Sequence, residues 1–220
     1  MTETLHILQE NLGQALWETF EMVLVSSIIG IIFGTLIGLA LYYYSNQLFT
    51  PRPVLNSIVG FIINATRSLP FLILMVVLIP FAKLIAGDPY TPMGGAVSLS
   101  VAAVPFFARI AQSAFAEVNQ GVIEAGQATG AGFWLIFQDV LFPEALPALI
   151  RGIILTIISL IGYSAMVGTI GAGGVGNLAI QYGYNRYETG VLISVIVILV
   201  VIVQIIQWIG DRLANHYTRS

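Results

Sequence analysis

The sequence predicts an all-α polytopic membrane protein with about five transmembrane helices, its N-terminus outside and its C-terminus in the cytoplasm. Three observations carry this. Of 220 residues, 57% are hydrophobic and only 9% charged, with a mean hydropathy of +0.91. Ordinary globular domains are about 25% charged, so a surface this poor in solvated groups must face lipid. Several apolar stretches approach the roughly 20 residues needed to cross a hydrocarbon core, and the 8 Lys and Arg residues fall unevenly around them.

The first span, Met22 to Tyr44 (MVLVSSIIGIIFGTLIGLALYYY), carries no charge and ends in tyrosines suited to the interface. Within it Gly30, Gly34 and Gly38 recur every fourth residue. That spacing lets two helix backbones approach closely in lipid, either inside the subunit or at a self-association face. The second span, Leu69 to Ala86, is marked by Pro70, Pro80 and Lys83; the third, Gly94 to Phe115, has Arg109 near its end. A polar connection then runs from Ala116 to Ala145 with Glu117, Glu124, Asp139 and Glu144. Long connections of this kind are often functional. From Ile123 to Phe137 its small and apolar residues fall at helical spacing, predicting short helices outside the bilayer. The fourth span is Leu146 to Met166 and the fifth Val191 to Ile209, so residues 1–220 read as one membrane domain.

Orientation follows from charge. Arg52, Arg67, Arg109, Arg151, Arg212 and Arg219 fall on one side of five spans, and Lys83 and Arg186 on the other. The positive-inside rule puts the larger group in the cytoplasm. Met1 to Leu16 holds Glu3 and Glu10 but no Lys or Arg, which does not read as a cleaved secretory signal. The small net charge of −3 points to no nucleic-acid partner.

The inventory of reactive groups is thin. Absence of cysteine removes disulfides and thiolate metal sites, and the two histidines, His6 and His216, lie in opposite tails. No metal site is expected. Ser164 would need an activating base, and the only lysine, Lys83, is placed near the outer end of the second span. Asn64, Thr66, Arg67 and Ser68 cluster just before Pro70, while Thr156, Ser159, Ser164 and Met166 punctuate the fourth span. Polar groups at membrane depth face a bundle interior or a wet cavity. Together they mark Arg67, Ser68, Pro70, Ser164 and Met166 as candidates for a solute pathway or gate. Each also has a plainer reading: helix-backbone hydrogen bonding for Ser164, gap filling for Met166, snorkelling for Arg67. The segment GTIGAGGVGNLAIQYGY has Gly171, Gly173 and Gly176 in G-x-G-x-x-G spacing, with Gly174 between. A dinucleotide loop needs a strand before it; here a membrane span precedes it and the loop faces outward. Its glycines are expected to shape an outer rim that meets a binding protein or a neighbouring subunit.

The polar connection reads EAGQATGAGFWLIFQDVLFPEALP from Glu124 to Pro147. It resembles the EAA loop of ATP-binding-cassette importer permeases: Glu124, Ala125, Gly130 and Pro143 match, while Gly126, Val140 and Phe142 depart in size. The strings TRSLPFLILMVVLIPFAKLI, FPEALPALI and GYSAMVGTIGAGGVGNLAIQYGY extend the resemblance to methionine-importer permeases. That resemblance implies a type I importer fold in the bacterial inner membrane. It also implies a homodimer, two cytoplasmic ATPase subunits and an external substrate-binding lipoprotein delivering methionine. The chain would be no enzyme and would bind no cofactor, ATP and magnesium being held by the ATPase. Glu124, Ala125, Gly126, Gly130 and Pro143 would form the coupling surface, with Pro143 and Pro147 setting the angle of return to the fourth span. The alternatives are an importer permease for another small amino acid or related solute, an ion-coupled secondary transporter and an intramembrane hydrolase. The secondary transporter lacks midplane ionisable residues and the hydrolase lacks a nucleophile–base pair.

Overall fold

A computed structural model describes residues 2–218, and among them every regular element is helical. Arg219, assigned above to the cytoplasmic side, lies outside the described residues. The order is α1 (Thr2–Ser45), α2 (Pro53–Ser68), α3 (Phe71–Ala86), α4 (Pro92–Ala116), α5 (Gln120–Ala128) and α6 (Phe133–Ile136). A π-helical segment (Phe137–Leu141), α7 (Phe142–Thr169), α8 (Gly174–Leu178), a second π segment (Ala179–Tyr184) and α9 (Thr189–Thr218) follow. Four helices are long and apolar enough to cross a membrane, and five spans result when the bent α2–α3 pair counts as one. The number agrees with that predicted, but the second span then starts at Pro53 rather than Leu69 and takes in Arg67, which the charge argument places in a cytoplasmic connection.

The first helix starts at Thr2, not Met22. Glu3, Glu10, Glu18 and Glu21 hide this extension from a hydropathy window, yet one face is apolar. Ala15 is buried in a cluster with Val175, Leu178, Val191 and Val195, and Ile7, Leu8, Leu12 and Leu16 pack around it. Lower down, Gly30, Gly34 and Gly38 face α4. A Cβ at Gly30 would lie 2.6 Å from Ala103 Cβ, one at Gly34 2.9 Å from Phe107 Cβ, and one at Gly38 2.6 Å from the Ala108 carbonyl oxygen. The choice left open by the glycine spacing therefore resolves to packing within the subunit.

The connection between the first two spans contains a helix, α2, that the sequence reading passed over. Pro51, Arg52, Asn56, Asn64 and Arg67 break its apolar run into pieces too short for a span. It turns into α3 at Leu69 and Pro70, both extended (ψ 131° and 132°), with a bend of 108°. Proline disfavours α geometry at the residue before it, so Leu69–Pro70 stops one helix and starts the next. Arg109 fastens α2 to α4: Nε donates to Asn64 Oδ1 at 3.2 Å and Nη2 to the Gly60 carbonyl at 3.1 Å. Gln112 Oε1 accepts from Nη1 at 2.6 Å.

Two further boundaries need correction. The fourth span does not begin at Leu146 after a bend at the prolines. α6, the π segment and α7 run together as one helical stretch of 37 residues, Phe133–Thr169. Proline lacks an N–H and its ring collides with the carbonyl four residues back. The wider π turn ends at Leu141, where Phe142 N–H reaches the Phe137 carbonyl, and gives the Pro143 ring room without a break. The last helix runs on to Thr218 because its polar end is solvated and locally paired, with Gln207 Nε2 donating to Asp211 Oδ1 at 2.9 Å.

The glycine contacts generate a prediction. Gly38→Leu should destabilise by about 3 kcal/mol or more, since overpacking of a close contact forces backbone apart. It should be lost from the monodisperse peak in detergent. Gly13→Ala, in the same helix with no neighbour within 4 Å of an added Cβ, should gain up to about 1 kcal/mol. Thermal unfolding of both purified variants checks the contrast.

Candidate functional site

The candidate coupling and rim residues sort to two ends of the bundle, joined by α7. At one end, α5 is started by Asn119, whose Oδ1 accepts from Gly121 N–H at 2.9 Å. Ile123 is fully buried and anchors the helix against Ile136 and Leu141 in a cluster with Tyr42 and Phe115. Gln127 Nε2 donates to the Leu48 carbonyl at 2.5 Å, and Asn46 Nδ2 to Gln120 Oε1 at 2.9 Å. The end of α1 therefore holds this helix in place. Glu124, Ala125 and Ala128 point outward and are exposed, and Gly126 is half-buried beside Ile136. Gly130 ends the helix at φ +85°, where Ala131 N–H bonds the Gly126 carbonyl at 3.2 Å. A left-handed residue here is what a helix end closed by the following N–H requires. Pro143 is exposed at the first turn of α7. The five predicted coupling residues thus belong to one surface segment, and its second half is continuous with α7.

The other end holds the glycine loop. No strand precedes it; α7 does, and α8 opens at Gly174 directly after Gly173. Gly171, Gly173 and Gly174 all have φ between +81° and +87°. Gly174 N–H donates to Glu18 Oε2 at 2.6 Å, and Val175 N–H to Thr19 Oγ1 at 2.9 Å. These are N–H groups that a helix start leaves without intrahelical partners. A Cβ on Gly173 would strike the Glu18 carboxylate, while Gly176 lies against the backbone of Ala165. The three glycines of G-x-G-x-x-G therefore do what they do in a nucleotide loop: turn, admit an anion, and let a helix pack closely. The anion is the chain's own Glu18. Gly174 and Gly176 are buried and Gly173 half-buried, so only Gly171 of the four is exposed on the rim. Sequence reasoning missed Glu18 and Thr19, which lie 156 residues away from their partners.

The pathway candidates divide. Ser164 is buried with its hydroxyl donating to the Ile161 carbonyl at 2.8 Å, and Thr156 likewise to Gly152 at 2.8 Å. Both follow the helix-backbone alternative. Ser68 donates to the Asn64 carbonyl at 2.7 Å, and Pro70 caps α3. Met166 is 40% exposed. Arg67 is exposed, with its guanidinium carbon 5.9 Å from the Phe106 ring centre. It borders a cleft of about 130 Å³ with Thr66, Phe71, Phe106 and Tyr163. Phe71 and Tyr163 stack at 4.7 Å and 13°. A cation beside stacked aromatic faces suits a solute with a carboxylate and a polarisable apolar tail. Tyr163 and Phe71 carried no signal in sequence beyond their apolar spans. Arg67 also borders a second cleft, of about 360 Å³, with Arg109, Ser113 and Glu117.

Residues 30–219 match the family model described as "Binding-protein-dependent transport system inner membrane component". The chain is 41% identical to the probable D-methionine transport system permease protein MetI of Vibrio cholerae, over 92% of this chain and 90% of that one. It is 43% identical to the methionine import system permease protein MetP of Bacillus subtilis, over 73% and 72% respectively. Its fold superposes with a TM-score of 0.92 and 40% identity on a chain of the MetNI methionine ABC transporter solved in inward-facing conformations, covering 96% of this chain and 97% of that chain. A chain of an amino acid ABC transporter shares the fold at a TM-score of 0.77 and 17% identity. With a family model matched over most of its length and relatives of this identity and coverage, the chain belongs to the family of binding-protein-dependent transport system inner membrane components.

Proposed function

We propose that this chain is the multi-pass permease subunit of an ATP-driven importer of methionine in the bacterial inner membrane. Its extended similarity to methionine permeases, at 41% identity over 92% of the chain, carries the reading. It is a transport component and not an enzyme. Two copies of the chain form the translocation path, and two cytoplasmic ATPase subunits bind ATP with magnesium and hydrolyse it. An external substrate-binding lipoprotein delivers the solute. The structure superposes on an inward-facing transporter, and we read it as that state.

Glu124, Ala125, Gly126 and Gly130 offer the ATPase a surface of small side chains around one carboxylate, and Pro143 extends it to the foot of α7. Because α6 runs without a break into α7, displacement of the segment moves the whole helix as a rigid body. Arg67 meets the substrate carboxylate, and the Phe71–Tyr163 pair receives the thioether, a contact sulfur makes favourably with aromatic rings. Met166 contributes to closure of the outer mouth, and Gly171 to the rim on which the binding protein seats.

Three outcomes test this. Complex reconstituted with its ATPase and binding protein should take up labelled D- or L-methionine from an amino-acid panel only while ATP is hydrolysed. Transport by the lone chain on an ion gradient would overturn the assignment. Glu124→Arg and Gly130→Trp should leave the protein inserted but cut ATP-driven uptake at least tenfold, the second partly through backbone strain of roughly 1–2 kcal/mol at positive φ. Normal uptake by both would remove the coupling role. Arg67→Gln should lower uptake several-fold at limiting substrate while co-purification with the ATPase stays normal; unchanged uptake would take Arg67 out of the pathway.

A further inference from the structure

α8 rides on the outer end of α7. A Cβ on Gly176 would collide with the Ala165 main chain, and one on Gly168 with the main chain of Gly176 and Asn177. The two helices therefore move as one piece. That piece is held to α1 by apolar packing, with Ala15 against Val175 and Leu178 and Met22 against Val167 and Ala172, and by a pair of hydrogen bonds, from Gly174 N–H to Glu18 Oε2 (2.6 Å) and from Val175 N–H to Thr19 Oγ1 (2.9 Å). Gln14 Nε2 steadies the carboxylate from the other side, donating to Oε1 at 2.8 Å. Carboxylate acceptance of backbone N–H at a helix start is charge-assisted and favoured by the helix dipole.

Position gives this contact a mechanical meaning. Ser164 and Met166 lie in the last turns of α7 before α8, and the opposite end of the same continuous helix begins at Phe133, just after the turn at Gly130 that ends α5. Any swing of that lever must either carry α1 with it or break the Glu18 and Thr19 bonds while the apolar contacts of Ala15 and Met22 slide. Beside them lies an open polar cleft of about 330 Å³, bordered by Asn11, Tyr90, Asn177 and Gln181 as well as Glu18. A released carboxylate would find water and polar partners there, so breaking the contact is reversible.

We propose that Glu18 and Thr19 form a latch that holds the outer end of α7 closed in the inward-facing state and releases when ATP drives the permease outward-open. Glu18 is thus a positioning residue for transport, acting through α8. The proposal rests on the importer reading above.

The test uses the full permease–ATPase–binding-protein complex. Since the chain has no cysteine, Thr169→Cys at the outer end of α7 gives one spin label per subunit. Without nucleotide, the latched complex should show one narrow inter-label distance. Glu18→Ala should add a longer, outward-open population, raise ATPase activity without binding protein several-fold, and lower methionine imported per ATP. Glu18→Gln should fall between, because its amide oxygen still accepts. Thr19→Val should shift the same readouts in the same direction by less. Distances and import per ATP equal to the parent's in Glu18→Ala would overturn the latch, even if thermal stability fell, since a purely structural contact would behave in that way. Should Glu18→Ala not insert, Thr19→Val decides on the same readouts. Failure of the unmutated complex to import methionine, with distances that still respond to ATP, would sink the substrate assignment alone; the latch would then stand or fall on the distance shift.

Discussion

Close backbone contact between α1 and α4 underlies the architecture. In lipid there is no hydrophobic gain from bringing two helices together, so dispersion over a long, close contact has to supply the stability. Gly30, Gly34 and Gly38 remove the side chains that would hold the helices apart, and Ala103, Phe107, Ala108 and Ala111 fill the space. The contact runs along α1 from Met22, beside Gly95, to Tyr42, beside Phe115, and so fixes the membrane-spanning part from which both ends of that helix extend. Tyr42 and Asn46 reach Gln120 at the coupling end, and Glu18 and Thr19 reach the glycine loop at the other. α1 and α4 are thus the frame against which the remaining helices are placed.

α7 packs closely on that frame: an added Cβ at Gly152 would collide with Ile110, and one at Gly95 with Val167. Three hydroxyls along it are bonded to its own backbone: Thr156 to Gly152, Ser159 to Leu155, Ser164 to Ile161. None of them ties it to a neighbouring helix. A helix meant to slide or tilt benefits from such internal satisfaction, since no buried donor is stranded when its neighbours change. The π segment serves the same end. By accepting Pro143 without a break, it keeps α6 and the membrane span in one body.

How much of this was legible depended on range. Spans were readable because hydropathy is a local sum, and the likeness of residues 124–147 to an EAA loop because Glu124, Ala125, Gly130 and Pro143 stand at a specific spacing. The α1 extension was not, since four glutamates mask an apolar face that only burial against Val175, Val191 and Val195 reveals. α2 was hidden for a similar reason. Pro143 and Pro147 suggested a bend, and a wider helical turn took its place. Arg109 counted only as a charge in the orientation argument, whereas its three hydrogen bonds make it the clasp of α2 on α4.

The glycine loop shows why spacing alone misled about chemistry yet described the backbone well. G-x-G-x-x-G specifies a turn, a cradle of N–H groups and a close helix contact; it says nothing about which anion fills the cradle. In a soluble nucleotide enzyme the pyrophosphate enters from solution. Here α1 projects beyond the span and supplies a carboxylate from 156 residues away, so the cradle is filled by folding itself. A ligand held that way cannot diffuse off, and its only exits are the neighbouring cleft and motion of the helices that carry it. The same backbone device that retains a cofactor elsewhere becomes, on two helices of one chain, a contact whose making and breaking is tied to their relative position.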